Sequence, residues 1–524
     1  MVEHTPAVDT IAARATGDEA LDRFLKRFER AKKLRALVDS VIDECYEFAL
    51  PLRERPYSSR EDGRAEMDRL FDSTAPRALQ DLASQMLDDV WPADAKPFEL
   101  VAGPEVPEAA REDVNRALAP VADDIIEAVN NSNFRNEAHE ALMDWAIGTG
   151  FLLPEEGDAV EPLRFRCLPL AEAYPDLGPF DTVDALFRVR RVRAGDLQTV
   201  WPRGVLPDAM TRLAQDRGDD KIEVVEGVER DWDEKGDEVW RFRAVAPAFR
   251  HTIEEGATRG SGAKPFVDVS FMRVAGEALG RGPVQIALPD IKTLNLVKQF
   301  ILENADLAIA GIWQADDDGV INVDTLRIEP RTIIPRAPGS RGLERIEASG
   351  NFTIGDLVVK DLQAAIQATM FGDDLGPPAG TPMSATEVLE RTAMRARRRA
   401  GPYSRLISEL LFQVVRRVAY IRVRQGAIRL PAIDGKKIAI RPLSPLTRAQ
   451  AQDEILRHDR FLEMMALRFG PPAAALLVDP EKYGEWLARK MGVDAGLIRK
   501  RIERQKMAQA AAGLALQATQ GAKP

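Results

Sequence analysis

The sequence predicts an α+β protein that is predominantly α-helical, and three observations carry that expectation. Apolar residues recur at helical spacing through long stretches near the start, in the middle and towards the end of the chain. Between them, residues 218–273 change to strand-like alternation punctuated by turns. The chain has 524 residues, more than one hydrophobic core usually serves, so two to four compact regions are expected.

From Gly17 to Leu52 the spacing of Leu21, Phe24, Leu25, Phe28, Leu34, Leu37, Val38, Val41, Ile42 and Tyr46 predicts one long helix or two, ended by Pro51 and Pro56. After a polar loop, Asp72, Ser73 or Thr74 can cap a helix through Leu79, Leu82, Met86 and Leu87 to Trp91-Pro92. Residues 105–150 read as helical and acidic. They end at Gly148-Thr149-Gly150, a turn into the strand Phe151–Leu153. The segments RFRCL and ALFRVRRV between Leu163 and Val192 alternate like half-buried strands and predict a small sheet. Residues 194–215 form a shorter helical piece interrupted by Pro202 and Pro207.

IEVVEGVERDW, EVWRFRAVAPAF and FVDVSFMRV then predict a three-stranded β module. The stretch Gly280–Trp313 organises what flanks it. A Gly/Pro-punctuated approach ends at Pro289-Asp290, where a long helix is expected to begin. Ile291, Leu294, Val297, Ile301, Leu302 and Ala305 should pack on one face, with Lys292, Asn295, Gln299 and Asn304 on a polar one. The strands VINVDTL and TIIPRA follow, leading to a flexible segment, Pro338–Arg345, and a helix near Thr353. Ser384-Ala385-Thr386-Glu387 is a capping box that opens a helical region running to Arg424, whose second half carries a wide apolar stripe from Leu406 to Ile421. Helices are expected again from residue 448, ahead of an Ala/Gln-rich tail that is frayed or disordered.

Several function classes find no support. The net charge of -11 argues against a generally basic nucleic-acid binder. Cys45 and Cys167 have no neighbours at metal or redox spacing, and His139-Glu140 lacks the second histidine of a zinc protease helix. Asp316-Asp317-Asp318 lacks the spaced acids and distal glutamate of a calcium loop. The glycines at 148 and 150 precede a strand, where a phosphate-cradling loop needs a helix; there is no G-x-S-x-G elbow either. No catalytic, metal or cofactor-binding residue is nominated, so no cofactor and no enzymatic activity are expected. The first residues do not resemble a secretory signal and no apolar stretch has membrane-spanning length, so a reducing cytoplasm without a membrane is the expected place of folding.

One segment departs from the acidic average. Between 391 and 424 ten arginines stand against a single acid, Glu409, a local charge of 10 − 1 = +9. Such a segment wants an anionic partner, either nucleic acid or the acidic 105–144 run of a neighbouring copy. The acidic run is favoured because arginine's planar fork suits interface ion pairs.

Several blocks in one order resemble the portal, or head-to-tail connector, proteins of short-tailed bacteriophages. They are Asp72-Ser73-Thr74-Ala75, Leu82-Ala83-Ser84 and Trp91-Pro92 with Phe98; then Gly280-Arg281-Gly282-Pro283 and Ala287 to Asn295; then Ala385-Thr386-Glu387-Val388, Gly401-Pro402 and Glu409-Leu410-Leu411. Together they span about residues 20–490. Ala278-Leu279 stand where the family commonly has an aromatic, and clip and tunnel-loop lengths do not match residue by residue.

The resemblance implies an N-terminal helical wing with a small sheet (1–193), a first stem helix (194–217), a β-rich clip (218–275) and a second stem helix (276–313). It further implies wing strands, tunnel loop and helix (314–383), long wing helices (384–445) and a C-terminal helical crown (446–524). It implies no chemistry, but a virion ring, twelve copies by family expectation, assembled in the host bacterial cytoplasm at one capsid vertex. Double-stranded DNA would pass through it without sequence-specific contact. The implied partners are the terminase large subunit, the major capsid and scaffolding proteins, and tail adaptors.

Arg336, Arg341 and Arg345 on the tunnel loop, with Lys292 and Lys298 on the stem, are the DNA-facing candidates. Guanidinium groups there would read phosphate charge, not bases. Arg391, Arg395, Arg398, Arg416 and Arg417 are the subunit-interface candidates. The alternative is a soluble oligomeric DNA-binding or scaffolding protein that uses the arginine-rich 391–424 helices.

Overall fold

The computed structural model describes residues 17–53, 69–158, 160–310, 312–315, 343–346, 352–372, 401–431, 433–443, 445–470 and 478–491. Helices and antiparallel sheets are mixed, as an α+β chain requires. The chain divides into two compact units: residues 1–36, 83–281 and 377–524 form one, and residues 37–82 and 282–376 form the other.

In the first unit a five-stranded antiparallel sheet runs in the order β4 (Ala173–Leu177), β5 (Val183–Arg193), β6 (Lys221–Trp232), β7 (Glu238–Ala246) and β8 (His251–Arg259). Helix α1 (Gly17–Ala36) buries Leu21, Phe24, Phe28 and Ala31 in one cluster with Ala185, Phe187, Val225 and Val245 of this sheet. The i, i+3, i+7, i+10 spacing puts those four residues on one face. Phe24 and Phe28 meet Phe187 with ring centroids 5.3 and 5.8 Å apart. Each such phenylalanine contributes about 1.5–3 kcal/mol by burial.

The segment expected as a first stem helix does not form one. Residues 194–217 comprise a 3-10 turn (Ala194–Asp196), one helical turn α6 (Leu197–Val200) and α7 (Asp208–Asp216). Pro202 and Pro207 lie between the last two, and proline breaks the hydrogen-bond ladder a continuous helix needs. Leu197, Trp201 and Met210 are instead buried against Val192, Ile222, Val224 and Ile253 of the sheet. The strands of residues 218–275 are likewise not a separate module: β6, β7 and β8 extend the sheet begun by β4 and β5. The fourth, β9 (Val267–Ser270), leaves it to pair with β2 (Thr149–Glu156), whose other edge carries β3 (Leu163–Leu168).

Helices α4 (Glu108–Asn130) and α5 (Phe134–Ile147) belong to the same unit, as does β1 (Phe98–Ala102), which pairs with the strand Ile438–Pro442. Trp91, Phe98, Phe134 and Phe165 form a chain of ring contacts at 5.0–6.0 Å. Residues 401–405 are helical, Leu406–Leu411 form a π-helical turn, and α10 (Phe412–Arg424) follows. All eight apolar residues of the expected stripe, Leu406, Ile407, Leu410, Leu411, Val414, Val415, Val418 and Ile421, are buried. Helices α11 (Pro445–Phe469) and α12 (Pro480–Met491) end the described chain, joined by a hydrogen bond of 2.6 Å from the Tyr483 hydroxyl to Asp459.

The second unit holds α2 (Asp39–Ala49), the start of α3 (Thr74–Val90), α8 (Pro283–Ala310) and α9 (Phe352–Thr369), with a short pair β10 (Ile312–Ala315) and β11 (Leu343–Ile346). Helix α8 begins six residues before the expected start, so Pro289 lies inside it. Pro283 occupies the first position, where a missing N–H costs nothing; Pro289 deprives the first turns of one bond.

The Gly148-Thr149-Gly150 turn has a structural use. The Thr149 hydroxyl accepts the Gly280 N–H at 2.8 Å, which pins the chain just ahead of α8. A Cβ at Gly280 would fall 2.8 Å from the Gly148 carbonyl, and one at Gly150 would fall 2.2 Å from the Ala141 carbonyl. Only glycine allows both approaches.

Candidate channel helix and basic surfaces

With 28 residues and about 1.5 Å of rise per residue, α8 is about 42 Å long. Val284, Ala287, Leu288, Ile291 and Leu294 are buried on one side. Of the six residues expected to pack, Ile291 and Leu294 do so, Val297, Ile301 and Ala305 are half-buried and Leu302 is exposed, so the packed face lies towards the N-terminal half of the helix. Asn295, expected on a polar face, is buried. Its carbonyl oxygen accepts the Phe71 N–H at 2.7 Å and its amide donates to the Arg69 carbonyl at 2.8 Å. A buried side-chain amide with both ends satisfied fixes register where an apolar residue would only fill space.

The outward side also differs from expectation, because it is apolar as well as polar. Ile286, Leu296, Phe300 and Leu302 are between 48% and 58% exposed. Ile286, Pro289, Thr293, Leu296 and Phe300 are all exposed and follow one another at intervals of 3, 4, 3 and 4. That is the spacing of a seam that packs along another helix.

The two lysines expected on the stem are held by carboxylates of their own unit. Lys292 Nζ lies 3.0 Å from Glu44, and Lys298 Nζ lies 2.9 Å from Asp72. Asp72 is a node: its other bonds are the Thr74 N–H at 2.7 Å, at the start of α3, and the Gln363 amide of α9 at 3.0 Å. Burial works against its ionisation, but the bonds from Thr74, Lys298 and Gln363 outweigh it and hold the carboxyl below the usual aspartate range.

The remaining candidates divide. Arg336, Arg341, Arg391, Arg395 and Arg398 lie outside the described residues, as do the strands VINVDTL and TIIPRA and the capping box at 384–387. Arg345, expected on a loop, stands in β11 opposite Trp313. Arg416 is exposed and has no partner among the described residues. Arg417, expected at an interface, is buried in its own subunit, where Nε donates to the Pro154 carbonyl at 3.3 Å and Nη1 to the Ala263 carbonyl at 3.1 Å. It falls on the same face as Val414, Val418 and Ile421, so the apolar stripe carries it inward. Burial pulls its guanidinium down to about 10.

Arg422 forms a two-pronged pair with Asp124 of α4 at 2.9 and 2.8 Å. Part of the match between the basic segment and the acidic 105–144 run is therefore made within one chain.

Sequence reasoning missed one cluster entirely. Asp268 on β9 is buried and paired with Lys264 and with Arg273 at 3.3 Å. Arg273 also meets Glu409 of the π-helical turn at 3.3 Å, and Glu409 accepts the Ser270 N–H at 2.9 Å. Burial raises the Glu409 carboxyl, opposed by the Ser270 bond and Arg273. Only the solitary acid in a basic run signalled it. Among the described residues no group of three or more His, Cys, Asp or Glu could hold a metal ion, and no helix is long and apolar enough to cross a membrane.

Known proteins resemble this chain over most of its length. The portal protein of Escherichia phage T7 is 20% identical over 516 residues, covering 92% of this chain and 89% of its own. That of Enterobacteria phage T3 is 20% identical over 494 residues, covering 89% and 86%. A chain from the neck of an empty gene transfer agent particle superposes with a TM-score of 0.37 at 14% identity, covering 82% of this chain and 94% of that one. The family profile described as bacteriophage head to tail connecting protein matches residues 21–498. This chain therefore belongs to the bacteriophage head-to-tail connecting, or portal, protein family.

Proposed function

We propose that the chain is the subunit of a closed ring of twelve copies at one capsid vertex, through which double-stranded DNA is packed and later released. Helix α8 is the stem, α11 and α12 belong to the crown and the remaining elements to the wing, the clip being the β6–β8 side of a sheet that it shares with β4 and β5 of the wing. The ring docks the terminase large subunit during packaging and tail adaptors afterwards, and it sits among major capsid and scaffolding proteins during assembly in the host bacterial cytoplasm.

The observation that supports this reading best is α8 itself: about 42 Å of helix whose outer face keeps Leu296 and Phe300 exposed at seam spacing. In a closed ring each copy meets the next through two different faces, and such a seam gives one of them. Lys292 and Lys298 are neutralised by Glu44 and Asp72, so the stem offers DNA little fixed attraction and lets it slide. Arg336, Arg341 and Arg345 remain the candidates for phosphate contact. Arg391, Arg395, Arg398 and Arg416 remain candidates for contacts between copies. A DNA-binding role for the 391–424 segment is weaker, since Arg417 and Arg422 are already engaged internally.

Light scattering after size exclusion, with negative-stain images of the same peak, tests the proposal. A ring with a central hole is expected. A monomer or dimer that stays so at high concentration and with scaffold proteins present would refute it.

A further inference from the structure

A cavity of about 540 Å³ opens in the first unit between strands β2–β3 and the five-stranded sheet. Its volume is in the range of small-molecule sites. Phe187, Trp201 and Phe242 give it apolar walls, and Arg417 of α10 closes one side.

The charges around it are unequal in their pairing. Arg166 is paired with Glu155, Arg190 with Glu226 at 3.0 Å, and Arg188 with Glu172 at 2.7 Å. Arg417 is buried, bonds only to two backbone carbonyls, and has no carboxylate partner among the described residues. Glu155 and Glu156 act on its charge without forming an ion pair, and burying a charge that is not directly paired is costly. Arg166 Nε and Arg188 Nη1 are also buried without hydrogen-bond partners. Donors are thus in surplus around one cavity, and an acceptor is what would satisfy them.

We infer that the cavity binds a small amphipathic monocarboxylate, its carboxylate on Arg417 and its apolar body against Phe187, Trp201 and Phe242. A carboxylate supplies the acceptors that Arg166 Nε and Arg188 Nη1 lack and brings only one charge into a lining that also holds Glu254, whose carboxyl burial raises. Glu155, Glu226 and Glu254 stand on the same walls and repel a second charge, which disfavours phosphate.

The test is thermal unfolding of the full-length protein with octanoate, against chloride and inorganic phosphate at equal ionic strength. Octanoate is expected to stabilise saturably, raising the folding constant about a hundredfold at a hundredfold excess over Kd. Arg417→Met should abolish the gain. Should that variant not fold, Val228→Trp, on a partly exposed wall position of β6, blocks the cavity without removing the charge and should abolish it too. No gain in the wild type, a gain retained in either folded variant, or an equal gain from phosphate would each overturn the inference. So would a map of the assembled particle in which a neighbouring copy's side chain fills the cavity.

Discussion

Asp72 ties three helices of the second unit together, since it caps α3, pairs with Lys298 of α8 and accepts from Gln363 of α9. Replacing it by alanine removes the cap and strands a part-buried ammonium. A loss of about 1–3 kcal/mol is expected, read from urea unfolding midpoints. Because its folded-state carboxyl titrates below its unfolded value, its contribution is full above about pH 4 and is lost as pH falls through the folded value. The difference between wild type and Asp72→Asn should therefore shrink in acid. For Arg422 and Asp124, single alanine variants and the double variant should show a coupling of about 0.5–3 kcal/mol. The cap at 72–74 was legible because such residues before a helix have a local meaning. Lys298 and Gln363 as its partners were not, since they lie 226 and 291 positions away. Arg417 was misplaced because an arginine count carries no information about which side of the helix each one takes.

Helix α8 was legible in its existence and, at Ile291 and Leu294, in part of its buried face, but not at its start, at Asn295 or on its outer face. Of two prolines six residues apart, Pro289 has the residue pattern of a helix boundary, although Pro283 holds that position. Leu296→Asp together with Phe300→Asp should leave the subunit folded, with a change within about 0.5 kcal/mol because both side chains are half exposed. The same pair should prevent ring formation, as read by light scattering. Pro289→Ala restores one helix bond and should stabilise the subunit by up to about 3 kcal/mol, read from its urea unfolding midpoint. The alternation in ALFRVRRV and EVWRFRAV marked strands correctly. It could not say that residues 173–193 and 221–259 make one sheet, because pairing is decided by contacts remote in sequence.

At the scale of the whole chain, length foresaw more than one compact region but not their weave: the backbone leaves the first unit after residue 36, returns at 83, leaves again after 281 and returns at 377. This interleaving bears on the order in which contacts can form as the chain is made. Emerging from the ribosome at about 5–20 residues per second, α1 must wait while about 200 further residues are synthesised before Val225 and Val245 arrive to cover Phe24 and Phe28. During that interval, about 10–40 s at those rates, Phe24 and Phe28 lack the cover of β6 and β7 and have only the early strands β4 and β5, with Tyr174 and Phe187, to pack on once these are made. Nascent chains stalled before residue 221 should therefore recruit chaperones that bind apolar segments, and chains stalled well beyond Ala246 should release them.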